Sequence, residues 1–229
     1  MERKRVFYSE WAYVLGLVAL ALGTALMERA DFGMSMVVAP AYLLHLRVAR
    51  RFVWFSFGMA EYVFQALLIL ALSLALRRFR KGYLFSFVTA VVYGLTLDGA
   101  MAVVGLLPPG ALPTRFACFS AGLALCALGV VLLFHTYIAP EAYELVVKEL
   151  STRFGWRIDR VKTAYDCLSC LAGVMMSFAF FGLGRFEGVK AGTIFCALVN
   201  GWLIGRASAW LEATFVFRDA LPLRELFEK

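Results

Sequence analysis

The stretch Gly105-Leu-Leu-Pro-Pro-Gly-Ala-Leu-Pro-Thr-Arg115 separates two halves of the sequence that resemble each other. It holds three of the chain's six prolines, and Pro-Pro-Gly cannot continue a helix. Before it, residues 16–23 read Gly-Leu-Val-Ala-Leu-Ala-Leu-Gly. After it, residues 122–129 read Gly-Leu-Ala-Leu-Cys-Ala-Leu-Gly. The stretch therefore marks the boundary between two copies of one pattern.

Two further pairs of segments repeat in the same order and at nearly the same spacing. Residues 60–73 match residues 164–177, and residues 86–94 match residues 193–201. Chance explains one such match in an apolar chain, but not three in the same order. The sequence thus predicts a tandem duplication with small insertions.

The composition excludes a soluble globular domain, because 62% of the residues are hydrophobic, 17% are charged and the mean hydropathy is +0.77. Apolar residues come in blocks of about 20, the length that crosses a hydrocarbon core about 30 Å thick. The first block is long and lacks a small-x-small cleavage site, so we expect a retained span rather than a signal peptide. The pattern predicts a polytopic helical membrane protein.

Six spans are predicted, three in each half. Repeat one (1–107) contains spans at 11–27, 55–76 and 83–107; a linker follows at 108–115; repeat two (116–229) contains spans at 116–136, 163–183 and 189–211 and a short amphipathic tail. Each half also has a segment too short or too polar to cross, at 34–46 and 139–150. We expect these to be re-entrant or interfacial helices, the first broken near Pro40.

The basic residues predict the orientation of these spans. If the N-terminus is cytoplasmic, about twice as many Lys and Arg residues lie at inner ends as at outer ends, which places both termini inside. The pI of about 9.3 therefore indicates topology rather than nucleic-acid binding. Because each half has an odd number of spans, the second half must be inverted. The predicted fold is an all-α membrane protein of two inverted three-helix repeats, as in many secondary transporters.

Signatures of enzymes and metal sites are not found in the sequence. It has no Ser-His-Asp or His-Glu-x-x-His arrangement and no phosphate-binding loop. Cys167 and Cys170 have C-x-x-C spacing, but they begin an apolar span with no partner pair, so we interpret them as small packing residues. We predict no enzymatic activity, no cofactor and no metal.

Several short motifs carry a resemblance to a known family. They are Ala-Asp-Phe-Gly-Met-Ser at 30–35, Phe-Gly-Met-Ala-Glu-Tyr at 57–62, the run 86–98, and Lys-Thr-Ala-Tyr-Asp at 162–166. With these motifs the chain resembles the YitT/YczE-like integral membrane proteins of bacteria, in a subgroup of small uncharacterised members. The resemblance implies a bacterial inner-membrane protein of a kind described as a transporter. It implies no particular substrate.

Ionisable residues within spans are the main candidates for function, because a charge at mid-membrane costs about 3 kcal/mol on insertion scales. Asp98 lies deepest, and either binds a cation or proton or hydrogen-bonds to a neighbouring helix. Glu61 and Asp166 each stand beside a tyrosine in corresponding segments. They either guard the two vestibules or, as acids near helix starts, complement the helix dipole. Arg206 either holds an anionic substrate, pairs with Asp98 or snorkels to the interface.

Polar residues also line one face of the last span in each half. Ser86 and Tyr93 share a face of the third span, and Thr193 and Asn200 share a face of the sixth. They indicate a shared central cavity, although such residues also serve in ordinary helix packing.

We therefore predict a secondary transporter of a small solute, driven by a proton or another cation, with the two short helices as gates. One alternative is a substrate-binding subunit that docks an ATP-driven module through the small residues Ala21-Leu-Gly-Thr-Ala25. Another is a membrane scaffold. The expected partners are a small molecule or ion and the lipid bilayer, without nucleic acid; the glycine-rich faces would also permit a homodimer.

Overall fold

Eight helices and two short strands make up the computed structural model, which describes residues 5–80, 82–108 and 110–221. In chain order they are β1 (Arg5–Tyr8), α1 (Ser9–Ala30), α2 (Ala39–Ala49), α3 (Phe57–Leu76), α4 (Gly82–Gly105), α5 (Leu112–Phe134), α6 (Ala142–Phe154), α7 (Ile158–Phe181), α8 (Ala191–Thr214) and β2 (Phe215–Arg218). Six of the helices, all but α2 and α6, are long and apolar enough to cross a membrane. The predicted multi-pass helical membrane protein is confirmed at this level.

The ends of several helices differ from the sequence prediction, and prolines explain two of the differences. Pro40 lies in the first turn of α2, and Pro113 lies in the first turn of α5. Proline is accepted there because the first N–H groups of a helix have no intrahelical acceptor. The prediction that Pro40 breaks the first short helix is therefore wrong, and α5 starts inside the predicted linker 108–115.

The prediction of a purely α-helical chain is wrong in one detail. Strands β1 and β2 pair in parallel, with Arg5 opposite Phe215, and so join the two ends of the described chain. Just inside this ribbon, the Glu10 carboxylate accepts hydrogen bonds from the backbone N–H groups of Ala220 and Leu221. The start of α1 is thus tied to the segment that follows α8. The basic residues at 1–4 and most of the predicted tail, from 222 onward, lie outside the described residues.

Helices α1 and α5 run antiparallel and touch backbone to backbone. Gly16 faces Gly129, and Gly23 faces Gly122; a Cβ added at Gly23 would lie 2.7 Å from the Gly122 carbonyl oxygen, and a Cβ at Gly122 would lie 2.7 Å from that of Gly23. Only glycine permits so close an approach. Ala21 and Ala25 of α1 are fully buried as well, so this small-residue face is not free to dock a partner helix.

The other helices pack in pairs that correspond between the two halves. Helix α1 contacts α4 as α5 contacts α8, α2 contacts α3 as α6 contacts α7, and α2 contacts α7 as α6 contacts α3. Two correspondences fail. Helix α4 contacts α6, whereas the aligned pair of α8 and α2 hardly meets in the described part of the chain. Helix α3 packs extensively against α4, whereas α7 and α8 hardly approach each other within the described residues. The second half is therefore open where the first is closed.

Candidate functional site

A cavity of about 1450 Å³ lies where α7 and α8 stand apart. Its walls come from α6, α7 and α8, from the first turns of α4, and from the segment that joins α5 to α6. Ser86 of α4 and Asn200 of α8 belong to this wall. The Ser86 Oγ and the Asn200 Oδ1 are buried and have no hydrogen-bond partner among the described residues. Both atoms could accept a hydrogen bond from a bound molecule.

Glycines and one acid explain why α3 and α4 pack closely against each other. A Cβ at Gly58 would lie 2.0 Å from the Gly94 carbonyl oxygen, so the two helices cross in contact at these glycines. Next to the crossing, the Asp98 carboxylate accepts hydrogen bonds from the Ser56 Oγ at 2.6 Å and the Gly58 N–H at 2.8 Å. Ser56 itself caps α3 by accepting from the Met59 N–H at 3.0 Å. Asp98 thus fastens the start of α3 to α4.

In α8, the residues aligned with Gly94 and Asp98 are Gly201 and Gly205. A Cβ added at either glycine would meet no atom within 4 Å, and Gly201 lies on the cavity wall. The second half therefore keeps the glycine but lacks the acid and the helix contact. The cavity occupies the space that a packed α7 would fill.

Charged side chains line the part of the cavity between α6 and α7. The Lys162 ammonium lies 3.0 Å from Glu144 and 3.2 Å from Asp166. A second ion pair joins Arg80 to Glu149 at 2.8 Å. Mixed charges on one wall and apolar side chains of α7 and α8 on another suit a molecule that has both polar and apolar parts.

Beside this cavity lies a buried acidic cluster, which we define as Glu61 and Gln65 of α3 with Glu141 and Tyr143 at the start of α6. None of the four is more than 5% exposed. The Gln65 Nε2 donates to the Glu61 Oε2 at 3.4 Å and to the Glu141 Oε2 at 3.2 Å, and the Tyr143 hydroxyl donates to the Glu61 Oε2 at 2.8 Å. The cluster joins the first half of the chain to the second.

Burial changes the acid–base properties of the two members of this cluster that lie outside the spans. It raises the pKa of Glu141 well above the usual carboxyl value, and the neighbouring Glu61 carboxyl raises that pKa further. Burial also raises the pKa of the Tyr143 hydroxyl, which therefore stays a hydrogen-bond donor. Burial therefore favours the protonated, uncharged form of Glu141.

A second set of polar contacts lies next to the cluster and connects α1 with α4. The Tyr13 hydroxyl donates to the Thr89 Oγ1 at 3.1 Å, and Thr89 donates to the Ala139 carbonyl oxygen at 2.9 Å. The Tyr93 hydroxyl lies 3.0 Å from the Thr24 Oγ1. Thr89 thus holds the segment that precedes α6, and Gln65 holds the first residue of α6 by accepting from the Ala142 N–H.

The structure distributes the eight predicted site residues over several places. Ser86, Asp166 and Asn200 line the cavity. Glu61 belongs to the buried acidic cluster, and Tyr93 is fully buried against α1. The remaining three lie elsewhere. Asp98 lies on α4 against the start of α3, and Thr193 lies at the start of α8, where its Oγ1 accepts from the Lys190 N–H. Arg206 is exposed on α8.

Sequence reasoning missed Glu141, which it placed in the segment 139–150 that is too polar to cross the membrane. One signal was present. The second half reads Ala-Pro-Glu-Ala-Tyr at 139–143 where the first reads Ala-Pro-Ala-Tyr at 39–42, so Glu141 is an inserted residue. Its burial depends on Gln65, which comes from a distant part of the chain. Cys167 and Cys170 are free thiols.

Comparison with known proteins places the chain in a family without giving it an activity. The chain belongs to DUF6198, a family of unknown function. The family's sequence model matches residues 7–209, and so covers both halves and most of α8. No curated protein and no solved structure matches the chain significantly. DUF6198 membership therefore says nothing of substrate, and the geometry must carry the functional argument.

Proposed function

We propose that the protein is a secondary transporter of a small solute, in which the two halves are inverted repeats and the cavity at α7 and α8 is the substrate path. One observation carries the proposal: the same helix pair is closed in the first half, as α3–α4, and open in the second, as α7–α8. If α7 and α8 closed while α3 and α4 opened, the cavity would become accessible from the other side of the membrane.

The contact between α1 and α5 supports an inverted arrangement. The sequence aligns Gly16 with Gly122 and Gly23 with Gly129. A two-fold axis that exchanges aligned residues would turn the contact of Gly16 with Gly129 into the contact of Gly122 with Gly23, and both are present. An axis relating two antiparallel spans in this way lies in the membrane plane, as in transporters with inverted repeats.

The difference between the two ends of the molecule, an open cavity at one and ion pairs at the other, supports an inward-open state. Charged residues of the cavity, such as Arg80, lie at the end of the molecule where α4 and α7 begin. The first and the last described residues of the chain lie at the same end. At the other end, Asp31 pairs with both Arg115 and Lys190 and joins α1, α5 and α8. With cytoplasmic termini, as the positive-inside rule favours, the cavity faces the cytoplasm and the Asp31 contacts close the outer side.

The cavity walls favour an amphipathic organic solute. Lys162, Asp166 and Asn200 supply polar contacts, while side chains such as Val174 and Ile204 supply apolar ones. The resemblance to YitT/YczE-like proteins, carried by short sequence motifs, favours a transporter of the bacterial inner membrane. The small-residue face of α1 packs against other helices of the same chain, so it is not available to dock an ATP-driven module. This weakens the alternative of a substrate-binding subunit.

Thiol labelling tests alternating access without knowledge of the solute. In a chain whose five native cysteines are replaced, Asn200→Cys is expected to react with a membrane-impermeant maleimide from both sides of oriented vesicles. The matched control is Leu198→Cys, two residues earlier on α8, whose side chain is 78% exposed but does not line the cavity. In lipid it is expected to stay unlabelled.

Transport itself is measured in proteoliposomes that enclose a pH-sensitive dye. Addition of the right amphipathic solute is expected to move protons in the wild type. Labelling of Asn200→Cys from one side only, under every imposed pH gradient, would contradict alternating access and favour a scaffold.

A further inference from the structure

We propose that the buried acidic cluster is a proton-binding site, and that its proton holds the start of α6 against α3. This proposal deepens the proposed function. It depends on that function only where it identifies the proton as the ion that drives transport. Binding of the proton follows from the cluster's own geometry.

The two carboxyl groups of the cluster face each other across one amide. The Gln65 Oε1 accepts from the Ala142 N–H at 3.0 Å, which fixes the orientation of the amide because an N–H can only donate. The Gln65 Nε2 must then point toward Glu61 and Glu141 and donate to both. Both carboxyl groups therefore lie within hydrogen-bonding distance of a single nitrogen.

Among the described residues, neither Glu61 nor Glu141 forms an ion pair with a cationic side chain. Lys162 is the cationic group that faces Glu141, but its ammonium is already paired with Glu144 and Asp166. The other titratable groups that face the pair are Tyr13 from α1, Tyr93 from α4, Cys126 from α5, Tyr143 and Glu144 from α6, and Tyr165 from α7. Two carboxylates in such a site cannot both be ionised, so the pair must bind a proton.

Each carboxyl group also has one oxygen available for that proton. The Glu61 Oε1 and the Glu141 Oε1 are buried and have no hydrogen-bond partner among the described residues. An ionised oxygen in this position would lose its hydration without compensation. A proton on one of these two oxygens removes that cost.

The same geometry disfavours a metal cation. Magnesium and calcium ions in proteins are surrounded by oxygen ligands. Between Glu61 and Glu141, however, lies the Gln65 NH₂ group, a donor that occupies the place a cation would need. Among the described residues, no group of three or more His, Cys, Asp or Glu side chains is placed to hold a metal ion.

Loss of the proton would act on the cavity through Glu141. Glu61 and Gln65 belong to α3, whereas Glu141 lies in the segment before α6, next to Ala139 and Pro140 of the cavity wall. Two ionised carboxylates would repel each other across Gln65 and weaken the attachment of α6 to α3. Proton binding and the shape of the substrate path are coupled in this way.

Infrared spectroscopy of the purified protein in lipid tests the site independently of transport. At about pH 7.5 an exposed carboxyl group is ionised, since its pKa is about 4. The wild type is nevertheless expected to show the C=O band of a protonated carboxyl group, which should disappear at higher pH. Glu61→Gln with Glu141→Gln should remove the band, whereas Glu212→Gln, whose side chain is 63% exposed, should keep it.

Absence of the band in the wild type, or its persistence in the double variant, would overturn the proposal. Because the wild type is titrated as well, the test does not depend on whether the double variant folds. Loss of the band on addition of sodium would assign the site to a metal cation instead. A protein that shows the band but moves no solute would contradict the transport proposal alone, and two-sided labelling without the band would contradict the proton site alone.

Discussion

The α3–α4 pair in the first half and the α7–α8 pair in the second occupy equivalent places in the helix order, but the two pairs differ in packing. Gly58, Gly94 and Asp98 bring α3 and α4 into contact. In α8 the aligned Gly201 has no neighbour, and Gly205 replaces the acid. The comparison teaches that, in this conformation, the aligned helix pair that has the acid is packed, whereas the pair that lacks it lines a cavity.

The largest effect is expected from a side chain at the closed crossing. Gly94→Leu would force a side chain into the Gly58 backbone, since even a Cβ would lie 2.6 Å from the Gly58 carbonyl oxygen. We expect a loss of about 3 kcal/mol or more in the free energy of unfolding, as for other overpacked sites. Gly201→Leu in α8 is the matched variant.

At Gly201 a side chain meets open space, so the thermal unfolding midpoint is expected to stay close to that of the wild type. If α7 and α8 close during transport, however, Gly201→Leu should restrict labelling of Asn200→Cys to one side. Equal destabilisation by the two leucines would contradict the difference between the pairs.

A smaller loss is expected when the acid that fastens the closed pair is removed. Asp98→Ala leaves the Ser56 hydroxyl and the Gly58 N–H without their acceptor, and should cost about 2 kcal/mol in the free energy of unfolding. Asp98→Asn keeps one acceptor oxygen and should cost less. Both are measured by thermal unfolding in detergent. If Asp98→Asn instead abolished proton-coupled flux at unchanged stability, Asp98 would be a coupling residue rather than a fastener.

The two short helices extend the comparison, because only α6 begins with a buried acid. Folding raises the pKa of Glu141, so the folded state holds a proton that the unfolded chain has lost. The stability that this provides is complete below the usual carboxyl pKa and is lost as pH rises through the raised pKa. In that window the folding equilibrium constant should fall about tenfold per pH unit for each extra proton.

Glu141→Gln should flatten this part of the profile, which is measured as the thermal unfolding midpoint against pH. Glu212→Gln serves as the control and should keep the wild-type slope. A wild-type midpoint that rises with pH over the same window would contradict a raised pKa at Glu141.

The smallest effect is expected at the cavity's exposed ion pair. The side chain of Arg80 is 45% exposed, so water reaches one side of its pair with Glu149, whose side chain is 16% exposed. Such pairs contribute about 0.5 kcal/mol or less. Arg80→Gln should therefore leave the unfolding midpoint nearly unchanged, and a loss comparable to that of Asp98→Ala would show that α4 depends on α6 as strongly as on α3.

Local sequence pattern was sufficient for the six long helices, because a span needs only about 20 apolar residues to be recognised. It also indicated three residues that line the cavity. Ser86 and Asn200 were indicated by helical spacing, which places polar residues on one face, and Asp166 by its position beside a tyrosine in a segment aligned with that of Glu61. It could not find the β1–β2 ribbon, whose strands have four residues each and lie at opposite ends of the chain. It also gave Pro40 the wrong role, because proline is compatible with a helix start as well as a helix break.

By itself, the sequence determined six helices long and apolar enough to cross a membrane, and it predicted that the second half repeats the first, since hydropathy and self-similarity are properties of the linear chain. Only the tertiary structure decided which polar residues meet. Asp98 and Glu61 are both acids within spans, yet one fastens two helices and the other shares a buried amide with Glu141. Burial and hydrogen bonding between distant segments separate these roles, and they exist only once the helices have packed.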